Sequence, residues 1–100
     1  MRIEVLQPGP HITYTVSGEG LLSVGNLELD LPSLQSSSQE IISITHSAGE
    51  LVLGPDGRDG YVMDIIIPPA EYTTQEDITS VKPLDLSRVL LKLWTFNYKE

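Results

Sequence analysis

Three charged side chains lie close together in a turn-rich stretch near the middle of the chain. Asp56, Arg58 and Asp59 are set among glycines, just after Pro55. Two carboxylates and the carbonyl groups of such a turn are the oxygen ligands that a hard divalent cation takes. The ladder of alternate acidic residues that defines a calcium loop is missing, and ordinary turn chemistry also accounts for these residue types. We keep Asp56, Arg58 and Asp59 as candidate binding residues for a cation or a carbohydrate.

The two histidines offer a different chemistry. His11 and His46 fall on different predicted strands, and Glu28 could complete a transition-metal or hydrolytic site if the fold brought the three together. His46 shares the strand phase of Ile42 and Ile44, so it can equally end a buried face. The chain has no nucleophile-elbow pattern and no glycine-rich phosphate loop. We therefore assign no catalytic residue and no cofactor, and a small metal-dependent enzyme of cupin-like or hydrolytic type is only our third hypothesis.

The C-terminal stretch 88–98 combines positive charge with aromatic side chains. From Trp94 onward, aromatic residues recur with a spacing of two, which is typical of a strand. A helix capped by Ser87 is the alternative for the same residues. A strand that is apolar on both faces lies at the centre of a sheet or pairs with a partner. We interpret this stretch as a candidate interface formed by Arg88, Lys92, Trp94, Phe96 and Tyr98.

The charged turn itself lies between two apolar runs, 51–53 and 61–67. Both runs are too short for helices, and the turn residues between them predict a β-hairpin with a long connection. The second run is apolar on both faces at Ile65, Ile66 and Ile67, as is the C-terminal strand. These two segments are therefore expected to be neighbours at the centre of the sheet.

Other strands are predicted from alternating polarity. The clearest case is 27–31, where three leucines alternate with two carboxylates. Further strands are expected at 3–6, 11–16, 21–24 and 41–46. The serine-rich stretch 33–39 is expected to be a flexible loop. The stretch 70–87 shows little regular pattern. Its residues allow an edge strand at 71–74 and a turn or single helical turn at 76–80.

These elements predict an all-β fold for one domain, residues 1–100. We expect a single antiparallel β-sandwich or small barrel of about seven or eight short strands, with room for one short helical turn between residues 75 and 88. The chain has 100 residues, 40% of them hydrophobic, and no cysteine, so it can bury one core and has no disulfide framework.

The net charge and its distribution along the chain exclude some classes of binding partner. The net charge is −8; residues 1–87 carry 13 acidic and 3 basic side chains, and residues 88–100 carry 3 basic and 1 acidic. An acidic body repels phosphate backbones and anionic lipid surfaces, so we expect neither nucleic-acid nor membrane binding. The longest apolar run is far too short to span a bilayer, and no signal peptide is recognisable. We expect a cytoplasmic protein, or one incorporated into a particle that assembles in the cytoplasm.

The leading functional hypothesis is a non-enzymatic structural or assembly module. Its partner would be protein, most simply further copies of the chain in a larger particle, for which a phage or virus-like component is one setting. Residues 88–98 would contact another copy either by strand pairing or by packing of one face. Attraction between their basic side chains and the acidic body would help this contact. A carbohydrate- or cation-binding β module is the alternative.

Overall fold

The computed structural model describes residues 1–96 of the chain. Ten strands, one short helix and one 3₁₀ turn make up the regular structure of these 96 residues. The strands are β1 (Arg2–Val5), β2 (Tyr14–Val16), β3 (Leu21–Val24), β4 (Leu27–Asp30), β5 (Glu40–Ser47), β6 (Glu50–Leu53), β7 (Tyr61–Ile67), β8 (Tyr72–Gln75), β9 (Ile78–Val81) and β10 (Leu90–Leu93); the helix α1 is Leu31–Leu34 and the 3₁₀ turn is Leu86–Arg88.

The strands form three sheets. A five-stranded sheet has the order β1-β10-β7-β5-β6, a three-stranded sheet the order β2-β3-β4, and β8 pairs with β9 alone. The all-β prediction is confirmed, with more strands than the seven or eight expected and no closed barrel within residues 1–96. The purely antiparallel prediction is wrong at one place, because β1 and β10 run parallel. Residues 6–89 separate the two strands along the chain, so no tight turn dictates their direction.

The two larger sheets pack face to face around one apolar core. Leu22, Val24 and Leu29 come from the three-stranded sheet, and they share a cluster with Ile44 and Leu91 of the five-stranded sheet. Such packing follows from alternating strands that each present one apolar face. The predicted alternation of 27–31 holds through β4, and its last leucine begins α1 rather than continuing the strand.

The centre of the five-stranded sheet is the pair β7 and β10. Ile65 of β7 lies between Ile42 of β5 and Leu91 of β10, and the Ile65 and Leu91 side chains are fully buried. The expected neighbourhood of these two segments is confirmed. Within the candidate interface stretch, the strand covers Leu90–Leu93. Residues 94–96 follow it and are not part of a strand. Residues 97 and 98 of the predicted strand lie outside the described residues.

The hairpin predicted across the charged turn is wrong. Its two arms are β6 and β7, and β5 lies between them, paired with β6 on one side and with β7 on the other. The connection from Gly54 to Gly60 therefore crosses over the end of β5 instead of reversing the chain beside it. Local sequence signals a change of direction here but does not say which strand occupies the space between the arms.

The stretch 70–87 contains the two-stranded sheet. The edge strand expected at 71–74 is present as β8, while the turn or helical turn expected at 76–80 is a two-residue β-turn followed by β9. The short helical turn that was allowed between residues 75 and 88 is the 3₁₀ turn, at the end of that interval. The helix α1 was not predicted, because Pro32 reads equally well as a strand end and as the first turn of a helix.

The molecule is elongated. Its extents are 55 × 22 × 20 Å and its radius of gyration is 15.2 Å, whereas a compact domain of this length has a radius of about 13 Å. Among the described residues, no helix has the length and apolar character needed to cross a membrane.

Candidate functional site

The charged turn forms a strap over β5. We use this name for residues 54–60. The Thr45 hydroxyl, which is almost completely buried, donates to the Gly54 carbonyl (2.7 Å) and accepts from the Gly57 amide (2.8 Å). Further along, the Asp59 amide donates to the His46 carbonyl (2.9 Å). The strap is thus fixed to the strand beneath it by its backbone, which is how a non-hairpin connection satisfies its polar groups.

The candidate binding residues of the strap also have structural roles. The Asp59 carboxylate accepts a hydrogen bond from the Ala48 amide, and the Arg58 amide donates to the Ser47 hydroxyl (3.0 Å). Asp56, Arg58 and Asp59 are all exposed. Asp59 therefore holds the strap against the turn between β5 and β6 through its side chain, and Arg58 does so through its backbone, so conformational needs explain Asp59 without a ligand.

The structure does not bring the proposed metal ligands together. His11 donates through Nε2 to the Gln7 carbonyl (2.8 Å). His46 Nδ1 accepts from the Gly49 amide (3.2 Å), and its ring meets Phe96 edge to face at a centroid distance of 5.0 Å. Glu28 is exposed on β4. Within residues 1–96, no group of three or more His, Asp or Glu side chains is arranged to hold a metal ion.

The candidate interface residues divide between structural and exposed roles. Lys92 lies in register between Glu4 of β1 and Asp64 of β7, so opposite charges flank it on the sheet. Trp94 stacks on Tyr61 with ring centroids 5.1 Å apart. Phe96 packs on His46, as described above. Because β10 pairs on both edges, residues 90–93 offer no free edge for strand pairing with another copy; contact through a face remains a prediction, and Tyr98 lies outside the described residues.

The β8–β9 pair, which we call the ribbon (residues 72–81), is an exposed element outside the two larger sheets. Every residue from 71 to 83 is exposed, and the ribbon pairs with neither of the other sheets. It carries Tyr72 at 53%, Ile78 at 67% and Val81 at 59% exposure. A two-stranded ribbon is marginally stable in water on its own. An exposed ribbon with bare edges and apolar side chains is therefore suited to protein contact.

The ribbon turn has an unfavourable backbone. Glu76 and Asp77 connect the two strands, and both have positive φ, 49° and 65°. A two-residue turn of this kind favours Asn-Gly, because a side chain such as that of glutamate is strained in the left-handed region. The ribbon therefore holds two carboxylates at its tip at a conformational cost.

The base of the ribbon is attached firmly to the body. The Ala70 amide donates to the Ser36 carbonyl (2.7 Å). The Glu71 carboxylate pairs with Arg88 and lies 3.9 Å from the Lys82 ammonium group. These contacts fix the base of the ribbon to the body. Its two strands pair only with each other and with no strand of the two larger sheets.

A basic groove lies beside this base. It has a volume of about 440 Å³, within the range of ordinary ligand pockets. Its lining includes Arg2, Ile66, Pro68, Pro69, Arg88 and Leu90. Ile66 and Leu90 are register partners on β7 and β10, so they form an apolar floor to the groove. Of the candidate site residues predicted from the sequence, only Arg88 lines the groove; the charge excess of the C-terminal stretch indicates it, whereas Arg2 has no local signal.

A carboxylate caps the 3₁₀ turn that leads into the groove. Asp85 accepts from the Ser87 hydroxyl (2.6 Å) and the Ser87 amide (3.0 Å). These two hydrogen bonds to its charged form hold the pKa of Asp85 below its ordinary value of 3.8, and Arg88 adds a smaller effect in the same direction.

Replacing Asp85 by alanine tests this cap. Because the pKa of the carboxyl group is lowered by folding, its stabilising effect is complete above pH 3.8 and is lost as the pH falls through the lowered value. We expect Asp85→Ala to have a lower thermal midpoint than the wild type at neutral pH, and the two midpoints to converge in acid. Asp56→Ala, which removes an exposed carboxylate of the strap, serves as control. An equal difference between Asp85→Ala and the wild type at all pH values would contradict this account.

Comparison with known proteins adds no functional assignment. No family model matches the chain, and no curated protein or solved structure is significantly similar to it. The ribbon, the groove and the strap are therefore the features from which a function can be inferred.

Proposed function

We propose that this protein is a non-enzymatic structural module that associates with further copies of itself through the ribbon. The observation that carries the proposal is the exposure of every residue from 71 to 83 around a paired two-stranded element. The apolar core lies in the sandwich, and none of its members belongs to the ribbon. The ribbon is thus not needed to bury the core of its own chain. Contact with another chain would explain why the protein has this exposed element.

The proposal also accounts for the shape of the molecule. Self-association buries the apolar side chains that the elongated form leaves exposed, and it covers bare strand edges that would otherwise pair without control. The alternative of a carbohydrate- or cation-binding module depends on the strap, where two of the three candidate residues already contact the β5–β6 turn. No specific observation favours that alternative, so we propose the assembly function alone.

Sedimentation velocity of the full chain from micromolar to millimolar concentration tests the proposal. We expect the wild type to self-associate, and Tyr72→Ser combined with Val81→Ser to weaken association about tenfold or more, because these residues face each other across the ribbon. Leu53→Ser on β6 is the matched control, since Leu53 is also an exposed apolar residue, at 49%. The thermal midpoint should be the same in all three proteins when it is measured at a concentration low enough for each to be monomeric.

A wild-type chain that stays monomeric over the whole range would overturn the proposed function. Equal weakening by Leu53→Ser would locate self-association elsewhere on the molecule and would remove the ribbon from it.

A further inference from the structure

We propose that the tip of the ribbon, Glu76–Ile78, docks in the basic groove of a second copy of the chain. This inference rests on the proposed function and deepens it, because it names the surface that receives the ribbon. The occupant and the receptor site are both present in each chain, so two copies can exchange the contact reciprocally.

The chemistry of the groove matches that of the tip. Arg2 and Arg88 both line the groove beside an apolar floor, and Arg88 is also paired with Glu71. The tip presents two carboxylates next to Ile78, which at 67% is the most exposed of the large hydrophobic residues described. Guanidinium groups such as that of Arg2 bind carboxylates through paired, charge-assisted hydrogen bonds, and the isoleucine side chain can cover the apolar floor.

The charge match is unusual for this chain. Only 6 of its 100 residues are basic, and the net charge is −8. The groove contains two of those six. Arg88 is paired with Glu71, whereas Arg2 makes no ion pair within residues 1–96. Arg2 therefore gives the groove a positive charge that has no acidic partner among the described residues, and an acidic segment of another copy is the complementary partner.

The strained turn supports the same assignment. An Asn-Gly pair would adopt the positive φ angles of Glu76 and Asp77 at lower cost, yet the chain places carboxylates there. Strain of this kind is typical of residues whose side chains are needed for function. Docking beside the Arg2 guanidinium group gives the carboxylates such a need.

Geometry favours a reciprocal dimer. The groove lies at the base of the ribbon, next to Pro69 and Arg88, and the tip is roughly 14 Å away along the strands. A tip therefore cannot reach the groove of its own chain. Two ribbons related by a twofold axis and running antiparallel place each tip at the base of the other, so the same contact forms twice and the assembly closes.

Two variants of the tip test the electrostatic part of the inference. Glu76→Asn with Asp77→Gly removes both carboxylates and relieves the turn strain, so we expect a better-formed ribbon but dimerisation weakened about tenfold. Glu76→Lys with Asp77→Lys should weaken dimerisation further. Arg2→Glu should also weaken it, and combining Arg2→Glu with the lysine pair should restore part of the loss.

The control separates this contact from general charge repulsion. Glu28→Lys with Glu50→Lys changes the net charge from −8 to −4, as the lysine pair at the tip does, but at sites away from the groove. Reduced self-repulsion predicts tighter association for both pairs. The inference predicts tighter or unchanged association for the control pair and weaker association for the tip pair. If the tip variants associate as tightly as the control, the inference is wrong.

Cross-linking provides a positional test, since the chain contains no cysteine. Ile78→Cys is mixed with Gln39→Cys, which places a thiol on the groove lining. Under oxidation we expect disulfide-linked dimers from the mixture, and far fewer from either variant alone. Self-association of the wild type without this cross-link would reject tip-in-groove docking and leave the proposed function standing. A strictly monomeric wild type would reject both.

Discussion

Gly57→Ala is expected to destabilise the protein by about 3 kcal/mol or more, the largest loss that we expect from a single added methyl group. A Cβ at this position would lie 2.5 Å from the His46 amide nitrogen and 2.5 Å from the Thr45 hydroxyl oxygen. Neither atom is the far end of a flexible side chain. The strap must therefore lift from β5, and the hydrogen bonds at the buried Thr45 hydroxyl are lost with it.

Urea denaturation measures this effect. The midpoint should fall while the dependence of the unfolding free energy on urea stays constant, because the surface exposed on unfolding is unchanged. Gly18→Ala is the matched control, since a Cβ there meets nothing within 4 Å, and it should stay within about 0.5 kcal/mol of the wild type. Wild-type stability in Gly57→Ala would mean that the strap does not lie against β5.

Ile65→Ala is expected to cost about 2–5 kcal/mol, because it opens a cavity where three strands meet. The Ile65 side chain is fully buried, and its register neighbours are Ile42 and Leu91. Packing on both sides limits the collapse that could refill the space. Thermal and urea unfolding measured at low protein concentration give the monomer stability without any contribution from association.

The informative comparison is Ile78→Ala, the same chemical change on the ribbon. Ile78 is 67% exposed and lies outside the core cluster, so monomer stability should change by no more than about 0.5 kcal/mol. Self-association should nevertheless weaken. A large loss of monomer stability in Ile78→Ala would show that the ribbon is part of the folding unit and would remove the main support for its role in assembly.

Local pattern was sufficient for much of the fold. Alternation located β4, and apolar character on both faces of the β7 segment and of the C-terminal segment correctly made them neighbours. These properties follow from burial of single strands and can be seen in a few consecutive residues. The pairing of β5 between β6 and β7 is different, because it depends on contacts between segments that no local signal links.

The candidate site was harder to predict for a physical reason. The ribbon buries neither face, so it lacks the alternation by which strands are recognised, and its turn lacks the usual Asn or Gly. The available signal was two β-rich runs separated by Glu76 and Asp77. The groove could not be predicted from the sequence, because only the parallel pairing of β1 with β10 brings Arg2 and Arg88 to the same groove.

That parallel pairing also orders the events of folding. β10 occupies the space between β1 and β7, and hydrogen bonds at both of its ends join the first residues to the last described ones: the Arg2 amide to the Val89 carbonyl (2.9 Å) and the Leu6 amide to the Leu93 carbonyl (2.8 Å). During synthesis, β1 has no strand partner in its sheet until residues 90–93 have followed. Until then β7 also exposes an apolar edge, so the nascent chain is most prone to aggregation before β10 is available.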